Sequence, residues 1–237
     1  KSWEDNAIQL MIKLCEEFNC PTHIVHLSSA DSIPQLKAAR KAGLPLTVET
    51  CPHYLYFCAE DIPDGDTRFK CAPPIREREN NEQLWMALKN GVIDFVVTDH
   101  SPSTPELKQI DTGNLKDAWG GIAGLQFSLP IIWSEARKRG FNIADVSNWM
   151  STKIAQFIGL EQRKGKIAPC YDADLVIWDP EKSFKIDNSI IKFRHKITPY
   201  LGKELYGIVE QTYVGGNKVY DKGEFVALSN GEIILRK

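Results

Sequence analysis

Three short apolar runs, each preceded by a helical stretch, constrain this chain more than any other feature. Residues 2–18 carry Trp3, Ala7, Ile8, Met11, Leu14, Cys15 and Phe18 at helical spacing, with Ser2 as expected cap and Asp5 three residues on. Pro21 ends that stretch, and residues 22–27 (T-H-I-V-H-L) then read as a β-branched strand. A second helix is expected from Ser32, with Pro34 in its first turn and Gly43 just past its end, followed by a strand at 44–50 (L-P-L-T-V-E-T). A third helix at 81–90 leads into 92–98 (V-I-D-F-V-V-T), apolar enough to be covered on both faces. Helix and strand alternating in this way predict a parallel sheet with right-handed crossovers.

After a loop at 100–121, helices are expected at 125–139 and 144–159. Short strands then follow at 173–178, 209–214, 218–220 and 224–226. Gly215-Gly216 and Asp221-Lys222-Gly223 separate the last three as turns. The expected division is an α/β domain over 1–165 and a β-rich region over 166–237.

Composition excludes several classes. Lys plus Arg (29) nearly balances Asp plus Glu (31), so no broad basic surface for nucleic acid is expected. No apolar run approaches the roughly 18 residues a membrane span needs. The six cysteines form no C-x-x-C pair and read as small buried apolar residues in a reducing compartment, the cytoplasm by default. The chain starts at Lys1, with methionines only at 11, 86 and 150, and is expected to begin inside a longer protein.

Chemistry concentrates where the expected strands end. The first ends at His26, the second runs through Cys51-Pro52 into His53, and the third ends at Asp99-His100. Barrels of parallel strands build their sites at such ends, and imidazole with carboxylate suits zinc and its neighbours. Singly, each residue has an ordinary explanation. A strand-end His is more often hydrogen-bonded than ligating, and an Asp before a helix is usually its cap.

Four segments carry a family resemblance: H-L-S-S from His26, E-T-C-P-H-Y-L from Glu49, K-C-A-P-P-I-R from Lys70 and T-D-H-S-P from Thr98. They resemble the cyclic amidohydrolases, which include allantoinases, dihydropyrimidinases and dihydroorotases. W-G-G-I-A-G-L-Q from Trp119 and R-H-K-I-T-P-Y-L-G from Arg194 resemble the allantoinase branch.

That resemblance implies a distorted (β/α)8 barrel holding two divalent metal ions, usually zinc. His26 and His53 would ligate one metal and Asp99 the other, with Asp99 also acting as catalytic acid and base. Ala72, Gly120, Gly121 and Ser101 would contact a small cyclic ureide, allantoin in the favoured branch, and relatives suggest a homotetramer. The bland alternatives are a helix-entry turn at Gly120-Gly121 and an N-cap at Ser101.

The family also uses an H-x-H pair from its first strand and a carboxylated lysine from its fourth. His23-Ile24-Val25-His26 has the wrong spacing for that pair. The fold class expected is therefore α/β: the C-terminal half of a metal-dependent-hydrolase barrel, strands five to eight, plus part of a small β-sandwich. Ser103 stands where many of the branch have Cys. The competing readings are a dihydropyrimidinase or hydantoinase, a dihydroorotase, and a non-catalytic scaffold relative.

Overall fold

The computed structural model describes residues 1–226 and 231–234. By contact these divide into two compact units, Lys1–Ser128 with Ile191–Leu201, and Leu129–Ile190 with Gly202–Lys237.

The first unit contains the expected alternation: α1 (Ser2–Phe18), β1 (Thr22–Ile24), α2 (Ile33–Lys41), β2 (Leu46–Thr50), α3 (Pro52–Tyr56), α4 (Arg78–Lys89) and β3 (Phe95–Val96). The three strands form a parallel sheet in sequence order, Ile24 opposite Val48 and Thr50 opposite Val96. An isolated parallel bridge joins His100 to Ile122. Leu27, Val48, Leu55, Leu84, Phe95 and Ile93 are buried around this sheet, and each such side chain withdrawn from water contributes about 1.5–3 kcal/mol.

The first turn of α1 holds the loop after β1. Ser2 is the first helical residue and not the expected cap; Lys1 holds that position, without a side-chain capping bond. Glu4 Oε1 accepts the Ser28 and Ser29 N–H groups at 2.7 and 2.8 Å, while Asp5 Oδ1 accepts the Ser32 hydroxyl at 2.6 Å. The expected apolar face is only partly covered, since Ile8 and Cys15 are buried but Trp3 is 91% exposed and Phe18 64%. Asn19 ends the helix in the left-handed conformation. Buried Asn80 on α4 fastens the same loop, accepting the Ala30 N–H at 2.8 Å and donating to the Ser28 carbonyl at 2.8 Å.

Two strands are shorter than their apolar runs. β1 stops at Ile24, two residues before His26 (φ 38°), and β3 spans only Phe95–Val96, three residues before Asp99 (φ 42°). A left-handed residue cannot continue a ladder, and for a side chain with a Cβ it stores strain.

The second unit holds α5 (Ser128–Lys138, whose first residue belongs to the other unit), α6 (Ile143–Ser147), α7 (Lys153–Phe157) and four antiparallel strands. A π turn over Asn148–Thr152 joins α6 to α7, so the helix expected at 144–159 is interrupted. The strands are β4 (Leu175–Lys185), β5 (Glu204–Val214), β6 (Asn217–Asp221) and β7 (Glu224–Phe225), paired in sequence order.

β4 runs well beyond the expected end at Trp178. Its ladder shifts register between Asp179 and Ser183, around Pro180, which lacks the N–H a regular ladder needs. The boundary expected at Gly165 falls inside this unit. Trp133 of α5 donates to the Pro180 carbonyl at 2.8 Å and lies edge-on to Trp178, and the Tyr206 N–H donates to Ser134 Oγ at 2.8 Å. Those contacts group α5 with the antiparallel sheet.

All six cysteines are free thiols. Cys20 and Cys170 are exposed, which corrects the reading of every cysteine as a core residue. Among the described residues, no helix is long and apolar enough to cross a membrane.

Candidate functional site at the ends of the parallel strands

His53 sits in α3, a short helix opened by Pro52 directly after β2, and is buried against Tyr54 at 4.2 Å between ring centroids. Its Nε2 is buried with no hydrogen-bond partner, and the same holds for His26 Nδ1 beyond β1. Burial, and then the neighbouring His26, push the His53 pKa down to about 3, so its ring is neutral near pH 7. Buried polar atoms are nearly always satisfied. Two orphaned imidazole nitrogens near one another are thus the expected signature of ligands.

The Asp99 carboxylate completes a cluster. One ligand atom each of Cys51, His53 and Asp99 lie within 4.8 Å of one another, with Cys51 and His53 buried and Asp99 exposed. Sulfur, nitrogen and oxygen donors at this spacing fit a divalent cation. The sequence points to His53 and Asp99 and reads Cys51 as packing by default, a possible exception only because of its neighbours; its position two residues before His53, at the end of β2, is that signal. Burial first, then the Asp99 charge, raises the Cys51 thiol, which is a neutral SH at pH 7. His26 adjoins His53 but lies outside this three-donor cluster.

No helix begins at Asp99 or Ser101, so neither is an N-cap. Instead, Ser101 N–H donates to the Ile122 carbonyl at 3.0 Å, and Ser101 Oγ accepts the Trp119 indole N–H at 3.1 Å. The Gly121 N–H donates to the Lys70 carbonyl at 3.1 Å, so Gly120-Gly121 crosses to the 70–72 segment rather than opening a helix.

Ala72, Gly120, Gly121 and Ser101 are brought together. A Cβ on Gly120 would lie 3.7 Å from that of Ala72, an ordinary contact. A Cβ on Gly121 would lie 2.5 Å from Ser101 Cβ, where no atom fits. The Tyr54 hydroxyl donates to the Pro73 carbonyl at 2.7 Å, tying this segment to the helix that carries His53.

Two further histidines have structural tasks. His23 contacts Thr47 Oγ1 at 2.8 Å and Glu49 at 3.0 Å within the sheet. His100 Nδ1 accepts the Gly124 and Leu125 N–H groups, both at 3.2 Å.

The model of the amidohydrolase family matches residues 12–219. This chain belongs to the amidohydrolase family. It is 47% identical over 234 residues to the allantoinase of Streptomyces avermitilis, an alignment that covers 99% of this chain and 52% of that protein. The Saccharomyces cerevisiae allantoinase is 44% identical, with 95% of this chain and 49% of the relative aligned.

Among solved structures, the L-hydantoinase (dihydropyrimidinase) from Arthrobacter aurescens superposes with a TM-score of 0.89 at 31% identity. It covers 94% of this chain and 50% of its own. The chain thus spans about half the length of these relatives. Family membership and this likeness imply a TIM-barrel metal-hydrolase fold.

Proposed function

We propose that this chain is the C-terminal half of an allantoinase, with its three parallel strands and the His100–Ile122 bridge forming strands five to eight of the barrel. The reaction is hydrolysis of the cyclic amide of allantoin to allantoate. The observation that carries the reading is the donor cluster of Cys51, His53 and Asp99 beyond β2 and β3, with buried, unpartnered nitrogens on His53 and on the neighbouring His26 beyond β1. The choice of allantoin over other cyclic amides rests on relatives named allantoinase in bacteria, yeast and plants.

In this reading His26 and His53 hold one divalent metal, zinc in the first instance, and Asp99 holds a second. When bound, the metals polarise the ring carbonyl and let water act as a nucleophile near pH 7. Asp99 accepts the proton of the attacking water and returns it to the departing ring nitrogen. His53, held neutral by burial, keeps a lone pair available well below pH 7. Ala72, Gly120, Gly121 and Ser101 present backbone and hydroxyl groups to the alternating N–H and C=O edge of the ureide.

The test is metal content and turnover of allantoin, hydantoin, dihydrouracil and dihydroorotate by the complete enzyme carrying these residues, with Asp99→Asn as control. About two metals per chain, and allantoin hydrolysis lost in the variant, are expected. Preference for hydantoin or dihydrouracil would transfer the assignment to the hydantoinase branch. A metal-free protein inert to all four would replace the enzyme with a scaffold.

A further inference from the structure

The 101–121 loop carries a buried cation for which the metal chemistry has no use. Lys108 is 2% exposed, and its Nζ donates to the carbonyls of Lys70 at 2.8 Å, Trp119 at 2.9 Å and Gly121 at 2.5 Å. An ammonium has three N–H donors, and here each has a backbone acceptor. Burying such a charge is costly unless it is fully hydrogen-bonded, so the site makes sense as a built anchor.

The three carbonyls belong to two segments distant in sequence, 70–72 and 119–121. The Gly121 N–H also donates to Lys70 O at 3.1 Å, so that one carbonyl receives donors from both the amide and the ammonium. Peptide groups are planar and trans, with C=O and N–H antiparallel. Turning the Lys70 and Trp119 carbonyls toward Lys108 therefore directs the Cys71 and Gly120 N–H groups away from it. The same anchor keeps Gly120 beside Ala72 and Gly121 against Ser101, two residues beyond Asp99.

We infer that Lys108 is the positioning residue of the substrate pocket, clamping segment 70–72 to segment 119–121 so that their backbone groups meet the cyclic ureide in register. The inference rests on the allantoinase reading for the identity of the ligand, but the clamp itself is a property of this chain. Lys108 touches neither substrate nor metal.

The charge state of the clamp is set locally. Burial lowers the Lys108 pKa to about 8, with Lys70 acting in the same direction and Cys71 and Asp66 opposing. Above that pH a neutral amine has only two N–H donors for three carbonyls, so one acceptor loses its partner.

Two measurements test this. In the complete enzyme, Lys108→Met keeps the apolar stem and removes the donors. It is expected to raise KM for allantoin about tenfold, with kcat and metal content within about threefold of the parent. The parent's KM should rise as pH passes 8, and the variant's should not. An unchanged KM, or a pH step retained in the variant, would overturn the assignment.

The second measurement uses the unmodified complete enzyme and needs neither activity nor a folded variant. Amide exchange at Gly121, corrected for hydroxide catalysis, should lose about tenfold protection between pH 7 and 9, while Val97, bonded to Thr50 O in the sheet, keeps its own. Equal behaviour of the two amides would reject the clamp. If the complete enzyme ignores allantoin while the Gly121 step is present, the substrate assignment fails and the clamp stands.

Discussion

The two sheets of this molecule divide structure from chemistry in opposite proportions. The parallel sheet has strands of 3, 5 and 2 residues, yet every candidate ligand lies just beyond one of their ends. The antiparallel sheet has two strands of 11 residues and carries none of them. Direction explains the difference. Parallel strands all finish at the same edge, so residues as far apart in sequence as His26, His53 and Asp99 collect there, whereas successive antiparallel strands finish at opposite edges. Strand length is therefore a poor guide to functional weight.

The comparison breaks most visibly at Asp99. Asp99→Asn should lower kcat by about 10²–10⁴-fold with little change in melting temperature, and stopped turnover assays on the complete enzyme would measure it. A residual rate near the parent's would show that the strand ends do not carry the chemistry.

Next in size is Asn80→Ala, which leaves the buried Ala30 N–H and Ser28 carbonyl without partners. Urea unfolding should register a loss of about 2–4 kcal/mol, larger than any single exposed position in the antiparallel sheet.

The glycine pair sharpens the picture further. Gly121→Ala forces a Cβ against Ser101 and should cost about 1–3 kcal/mol together with a raised KM. Gly120→Ala, 3.7 Å from Ala72 Cβ, should fold normally. Equal stability of the two variants would mean that the segment relaxes freely. The smallest effect belongs to Val176→Thr on exposed β4, which should stay within about 0.5 kcal/mol by the same unfolding assay.

Much of this was legible in the sequence. Alternating helical and β-branched runs, punctuated by Pro21 and Gly43, give the parallel sheet its order because strand and helix periodicities differ. His53 and Asp99 could be picked out from their place after such runs, and the structure brings them together.

What could not be read depends on distant partners. The strand run through His26 and the run leading up to Asp99 look continuous, since no propensity marks a His or Asp that turns left-handed. The strand expected to end at Trp178 continues past Pro180 through a register shift that only the facing strand reveals. The boundary near Gly165 follows composition, whereas α5 associates through Trp133 with residues some forty positions away. Lys108 is the extreme case. A lysine in a polar loop reads as solvated, and only the folded carbonyls of residues 70, 119 and 121 say otherwise.

The left-handed backbone at positions 26 and 99 also bears on how such a protein tolerates drift. Glycine or asparagine would occupy either conformation at lower cost. A library screened for thermal resistance alone should thus enrich His26→Gly, gaining about 1 kcal/mol while giving up a candidate ligand. Stability and ligation pull position 26 in opposite directions.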